Sequence, residues 1–186
     1  LEQEGLLIDD IDLLICSTTS PMSMTPSMAC RILNGLSTGK DTMIQAYDIS
    51  AACSGYLYAL QSGYDFLQST PNGRVLITTA EVLSPLLDLE DFDTSILFGD
   101  AATATVLYGE SHVEKSAAKL HRPELSAKGE DGTTLSVPLR NSGFIQMKGR
   151  RVFQEAVRCM MNSLNRVCRR DELQVEELDL VVHLVS

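Results

Sequence analysis

The chain has 186 residues, a formal net charge of −10, 44% hydrophobic residues and 22% charged residues. That length and balance suit a soluble globular core of ordinary size, and the negative charge argues against nucleic acid as a general partner. No run approaches the ~20 apolar residues of a membrane span, and the opening LEQEGLLIDD has neither a basic region nor an apolar signal core.

The opening reads as the tail of a helix running into a strand, and the chain closes on an apolar strand pattern without a cap. Both ends are therefore expected to be cut from a longer protein, or the gene to be partial. Five cysteines lie at 16, 30, 53, 159 and 168, and no pair has C-x-x-C spacing. Zinc and dithiol readings are weak, no metal site is expected, and a reduced, cytoplasmic setting fits best.

Residues 11–18, IDLLICST, form a compact apolar run short enough for a buried strand. Residues 20–27 contain Pro21 and Pro26 and read as a loop, with Thr25 expected to cap a helix that Pro26 opens and that runs to about Gly35. GLSTGKDT at 35–42 glances toward a phosphate loop, but Asp41 stands where Ser or Thr should follow Lys40 and a helix rather than a strand precedes it. That reading is rejected.

Residues 43–49 read as a second strand, which feeds Cys53. Ser50, Ala51, Ala52, Ser54 and Gly55 around the cysteine are small and let the backbone crowd close to a reacting group. Beyond them Leu57, Leu60, Tyr64 and Leu67 recur at helical spacing. Cys53 thus falls at or just before a helix N-terminus, where unpaired N–H groups and the helix dipole favour a thiolate. A strand, a small-residue turn and a helix with the nucleophile at the bend is a recurring way to present a reactive side chain. Spacing alone equally allows Cys53 to be one more buried small hydrophobe.

PNG at 71–73 is a turn, and residues 74–80 are a third strand ending at Glu81. Residues 83–93 are mixed and acidic, a loop with a helical turn. Residues 96–98 and 102–108 look like two short strands joined in a hairpin at Gly99-Asp100. Strands alternating with helices imply an α/β protein with a mainly parallel, covered sheet. Residues 110–140 are polar and broken by Pro and Gly, and read as a surface excursion with His112 and His121 as exposed loop histidines. From Gly149 the pattern turns helical, with Val152, Phe153, Ala156, Val157, Met160, Met161, Leu164 and Val167 in one apolar stripe. Residues 178–182 read as a last strand, with His183 just beyond it. Between 140 and 170 eight basic residues face a single carboxylate, Glu155. Such a stretch suits a phosphate-bearing or acidic partner, or is simply a solvated helix face.

Four blocks carry a family resemblance. DISAACSG around Cys53 resembles the active-site segment of the β-ketoacyl-acyl carrier protein synthase III family, in the thiolase superfamily. LFGDAATATVLYG at 97–109 is similar to that family's Gly-Asp turn and following strand, IDLLICSTTSP at 11–21 to its early strand and loop, and residues 146–153 to its M-x-G-x-x-V-F segment. The blocks occur in family order and cover most of the chain.

The resemblance implies a thiolase-like layered α-β-α-β-α fold, of which this chain holds the first half and the start of the second. Residues 1–110 are then a first half truncated at its start, 111–149 a surface excursion and linker, and 150–186 the truncated opening of the second half. It implies that Cys53 takes an acyl group from a coenzyme A thioester, and that the acyl-enzyme condenses with malonyl-acyl carrier protein, losing carbon dioxide. The work would be fatty acid or polyketide-type biosynthesis, with no permanently bound cofactor and a homodimer built on the strand at 43–49.

In the family a His and an Asn stabilise the carbanion-like species. Aligning His183 with that His drops the family's preceding Pro, and keeping the spacing places Leu184 there instead. The His183 register is preferred, because a strand-end His has few other reasons to be there. Met147, Gly149 and Phe153 match positions lining the pantetheine tunnel, with Arg150 replacing a small polar residue beside them. The Asn would lie beyond Ser186, so the 186 residues alone are expected to be inactive in condensation, while weak self-acylation of Cys53, which needs only the thiolate and a donor, is expected to survive.

Departures bear on the donor. The family's Gly-Asp-Gly-Ala-Gly is Gly99-Asp100-Ala101-Ala102-Thr103 here, Phe92 stands where coenzyme A users often carry Arg, and the chain has no Trp. Rival readings are a thiolase-fold acyltransferase to oxygen or nitrogen without condensation, a non-catalytic partner subunit, and a plain acyl-thioester binding module.

Overall fold

The apolar run at 11–18 becomes β1, Leu13–Ser17, and all five of its residues are buried. A computed structural model describes residues 1–37, 41–130, 132–139 and 142–182. Two compact units make up the chain: Leu1–Val82 with Asp100–Pro123, and Leu83–Gly99 with Glu124–Ser186.

In the first unit β1 is an inner strand. It pairs in parallel with β2 (Gln45–Ile49), from Leu13 opposite Gln45 to Ser17 opposite Ile49, and with β3 (Arg74–Glu81), from Leu13 opposite Val75 to Ser17 opposite Thr79. Helices cover both faces of the sheet, which is why β1 reads as a continuous apolar run rather than an alternating one.

The two faces of the sheet are covered by different helices. Leu14, Cys16 and Leu76 pack with Ala29, Ile32 and Leu33 of α1 (Met28–Leu36). Leu13, Ile15, Val75 and Ile77 pack with Ala59, Leu60, Phe66 and Leu67 of α2 (Gly55–Ser69). The period-two alternation of β1 and β3 thus divides one apolar run between two cores, at about 1.5–3 kcal/mol per fully buried aliphatic side chain.

The helix starts differ from the sequence reading. Thr25 does not cap α1: Ser27 Oγ accepts the Cys30 N–H at 3.2 Å. The Asp48 carboxylate of β2 accepts the Met28 and Ala29 N–H groups, both at 2.7 Å. A carboxylate brought across from the neighbouring strand satisfies two otherwise unpaired donors, so the helix begins where Asp48 can reach. In α2 Leu60 and Leu67 reach the core, but Leu57 is 39% exposed. Gly55, Ala59 and Gly63 form the buried ridge instead. The helix lies so near the sheet that a Cβ at Gly63 would stand 2.8 Å from Leu107 Cδ1, and only small residues fit that line.

The hairpin expected at Gly99-Asp100 is not formed. Residues 96–97 are a turn closing α3 (Phe92–Ser95), while β4 (Ala101–Tyr108) pairs antiparallel with β3 over its whole length, from Arg74 opposite Tyr108 to Glu81 opposite Ala101. Eight paired residues on β3 outweigh a three-residue partner next door. The sheet order is β2-β1-β3-β4. His112, expected as an exposed loop residue, donates from Nε2 to the Asn72 carbonyl at 3.1 Å and meets the Tyr108 ring edge-on. His121 is exposed as expected.

In the second unit a two-stranded ribbon, β5 (Leu135–Ser136) and β6 (Gln146–Met147), leads into the long helix α4 (Gly149–Arg170). Ile145 and Leu86 are buried, and the Ile145 N–H donates to the Leu86 carbonyl at 2.8 Å. On α4, Val152, Ala156, Met160, Leu164 and Val167 are partly buried, whereas Phe153 is 68% exposed.

Charged contacts hold the segment 124–128 against α4. Arg166 pairs with Glu124 (3.4 Å) and donates to Ser126 Oγ (2.8 Å), and Lys128 pairs with Glu155 (3.2 Å). Arg151 and Arg158 converge on the same carboxylate, and the Arg158 guanidinium, then Lys128, hold it below the usual carboxylate range.

Residues 178–182 form no strand. A strand needs a neighbour for its ladder, and among the described residues no other segment pairs with this one. No described helix is long and apolar enough to cross a membrane.

Candidate active site

β2 ends at Ile49, and the chain must turn from the sheet edge into α2 within five residues. The Thr18 N–H donates to the Ile49 carbonyl at 3.1 Å, holding the end of β2 to the end of β1. Ala52–Ser54 then form a single 3-10 turn, closed by the Ser54 N–H on the Ala51 carbonyl at 3.2 Å. Cys53 is the middle residue of that turn and is exposed. The strand-turn-helix read from the sequence is present, and the alternative of a buried small hydrophobe is not.

Two backbone features hold the bend. Ala52, directly before the cysteine, has φ +46°, the left-handed region that costs a non-glycine residue about 1–2 kcal/mol. Such a conformation persists only where the surroundings over-determine it. Gly55, directly after the turn, is buried, and a Cβ there would overlap the Ser17 hydroxyl at the end of β1. The turn is thus pressed between a strained alanine and a close helix-strand contact.

The other cysteines stand differently. Cys16 is buried in the sheet, and burial pushes its thiol above the usual range, with Asp48 and Glu81 adding to the rise and a Thr78 hydrogen bond opposing it. Cys168 is buried, and Cys30 and Cys159 are exposed on helices.

Beside the bend, the strand ends carry a polar cluster that the sequence reading passed over. The Glu81 carboxylate, last residue of β3, accepts the Thr19 N–H (2.8 Å), the Thr19 hydroxyl (2.9 Å) and the Ser20 hydroxyl (2.7 Å). Ser20 Oγ in turn accepts the Val82 N–H at 2.8 Å. The available signal was a carboxylate closing the strand RVLITTAE.

Met147, Gly149, Arg150 and Phe153 come together at the junction of β6 and α4 in the second unit, while Cys53 belongs to the first. The junction is fixed by the Lys148 N–H on the Thr134 carbonyl at 2.8 Å and by Leu135 opposite Met147. Met147 is partly buried, and Gly149, Arg150 and Phe153 are exposed. His183 and its rival Leu184 lie outside the described residues, as do Lys40 of the rejected phosphate loop and Arg140 of the basic stretch. Phe92 opens α3 and is 73% exposed.

A mixed sheet of three parallel strands and one antiparallel strand, covered on both faces, with an exposed cysteine at a strand-to-helix bend, is the arrangement of a thiolase-fold protein. The solved structure of 3-oxoacyl-[acyl-carrier-protein] synthase III from Aquifex aeolicus shares this fold, with a TM-score of 0.80 and 34% identity over 97% of this chain and 56% of that one. Residues 47–129 match the family model described as 3-Oxoacyl-[acyl-carrier-protein (ACP)] synthase III. Proteins named Beta-ketoacyl-[acyl-carrier-protein] synthase III from Clostridium perfringens and Aquifex aeolicus are 34% and 36% identical over 98% of this chain. The chain is thus similar to the β-ketoacyl-acyl carrier protein synthase III family along nearly all of its length. It spans 58% and 56% of the length of those two relatives.

Proposed function

We propose that the protein carries out a decarboxylative Claisen condensation through an acyl group held on Cys53. The Cys53 thiolate attacks the carbonyl of an acyl-coenzyme A thioester, and the coenzyme A thiolate leaves. Loss of carbon dioxide from a malonyl group on acyl carrier protein then yields an enolate. The enolate attacks the acyl-cysteine carbonyl, and the Cys53 thiolate departs. Backbone N–H groups at the turn, that of Cys53 among them, suit the oxyanion that forms at each attack.

The observation that carries this reading is the exposed Cys53 at the bend between β2 and α2, behind a left-handed Ala52. Met147, Gly149, Arg150 and Phe153 are assigned to the pantetheine arm of the substrate, and His183 to the enolate. The expected setting is a cytoplasmic homodimer. β2 is an edge of the four-stranded sheet and offers unpaired backbone to a second copy.

The test is incubation with short acyl-coenzyme A donors and mapping of the adduct by mass spectrometry. The acyl group is expected on Cys53 and absent from Cys53→Ala. Acylation at Cys16 or Cys30 with Cys53 bare refutes the assignment.

A further inference from the structure

We propose that Glu81 is a positioning residue for the Cys53 turn, acting through the ends of the three parallel strands. The proposal rests on the catalytic reading of Cys53 given above.

The three parallel strands end side by side, Ser17 of β1 lying between Ile49 of β2 and Thr79 of β3. Continuing two residues past that level brings Thr19 and Glu81 together, and the carboxylate accepts three hydrogen bonds there, from the Thr19 N–H and from the Thr19 and Ser20 hydroxyls. One group thereby pins the chain that leaves β1. Ser20 Oγ passes the constraint on by accepting the Val82 N–H, which clamps the exit of β3 as well.

The pinned segment touches the cysteine turn on both sides. Before the turn, Thr18, directly preceding the pinned Thr19, donates its N–H to the Ile49 carbonyl. After the turn, Ser17 stands against Gly55 at the first residue of α2. Four consecutive residues, Ser17 to Ser20, therefore contact Gly55, Ile49 and Glu81. Ser17 and Thr18 are buried, so the segment has no room to relax independently. The side chain is placed to bridge all three partners, one terminal oxygen meeting the Thr19 N–H and the other both hydroxyls. Loss of the anchor frees the stretch that sets both the entry and the exit of the Cys53 turn. Small misplacements of a reacting group are costly in rate even when the fold survives.

The full 186-residue chain is used as Glu81→Ala, Glu81→Gln and wild type, with acetyl-coenzyme A as acyl donor and iodoacetamide as a substrate-independent probe of the Cys53 thiol. Tyr108→Phe, paired with Arg74 at the far end of β3 from Glu81, serves as the control. Glu81→Ala is expected to lower the maximal acylation rate about tenfold, with the half-saturating donor concentration changed less than about twofold. Iodoacetamide alkylation of Cys53 should slow in parallel. Glu81→Gln should recover most of the rate, because the amide can still hold the Thr19 N–H on its oxygen and offer its NH2 to the two hydroxyls. Tyr108→Phe should match wild type.

Wild-type acylation and alkylation in Glu81→Ala overturn the proposal, whatever its melting temperature. A Glu81→Gln variant as slow as Glu81→Ala also overturns it, since charge rather than placement would then be what matters. Should Glu81→Ala not fold, Thr19→Val and Ser20→Ala are judged by the same rates. If wild type takes no acetyl group, the catalytic reading of Cys53 fails, and the alkylation rates alone decide the role of Glu81.

Discussion

Ser17 at the end of β1 and Gly55 at the start of α2 approach so closely that the glycine has no room for a Cβ beside the serine hydroxyl. Gly55→Ala is therefore expected to destabilise the protein by about 1–3 kcal/mol, the usual cost of overpacking a buried site. The Ser17 Cβ is 3.4 Å from the same point, an ordinary contact, so removing the hydroxyl clears the clash. Urea denaturation of the double variant Ser17→Ala/Gly55→Ala should give nearly the stability of Ser17→Ala alone. A full Gly55→Ala penalty in the Ser17→Ala background would place the strain elsewhere.

The left-handed backbone of Ala52 gives the opposite expectation for a glycine. Ala52→Gly releases about 1–2 kcal/mol of steric strain and gives back about 0.5–1 kcal/mol through greater freedom of the unfolded chain. A net gain of up to about 1.5 kcal/mol in denaturant midpoint experiments is expected. Ala52→Val, branched at Cβ in the same conformation, should be clearly destabilising. Equal stability of wild type and both variants would show that the turn relaxes.

Thiol labelling should sort the cysteines by burial. In native protein at about pH 8, where a free thiol begins to ionise, iodoacetamide should reach Cys53, Cys30 and Cys159 well before Cys16 and Cys168, which are buried. The raised thiol of Cys16 also has a thermodynamic consequence. Its neutral form is favoured by folding, so its contribution is intact below its ordinary value of 9.0 and is lost as the pH rises beyond that toward the folded value. Thermal melts between about pH 8 and about pH 11 should therefore show a steeper alkaline loss of stability in wild type than in Cys16→Ala.

Glu155 has the reverse sign. The Arg158 and Lys128 contacts favour its charged form, so its contribution is present above the ordinary value of 4.5 and is lost as the pH falls through the lower folded value. Hydrogen exchange across residues 124–130 should accelerate below that pH, and Glu155→Gln should show the fast exchange already at neutral pH. Added salt should have a similar, smaller effect, because these pairs are exposed to solvent. Exchange rates in Glu155→Gln equal to wild type at neutral pH would show that other contacts hold the segment.

Local spacing alone determined the strands β1 to β3, the helices α2 and α4, and the placement of Cys53 between a strand and a helix. These are features in which neighbours along the chain decide which side of an element is apolar, and periodicity reads that directly. The tertiary structure decided what depends on a partner far along the chain. Asp48 caps α1 from 19 and 20 residues away. β4 chose β3 over its own neighbour. Residues 178–182, apolar enough for a strand, are not one. Most of the candidate site's chemistry was visible in DISAACSG, but its supports were not. Glu81 meets Thr19 across 62 residues, and Ser17 and Gly55 touch only because β1 lies beside β2. Hydrogen bonds and close contacts between distant residues are set by strand order and register, and no local pattern in the chain encodes those.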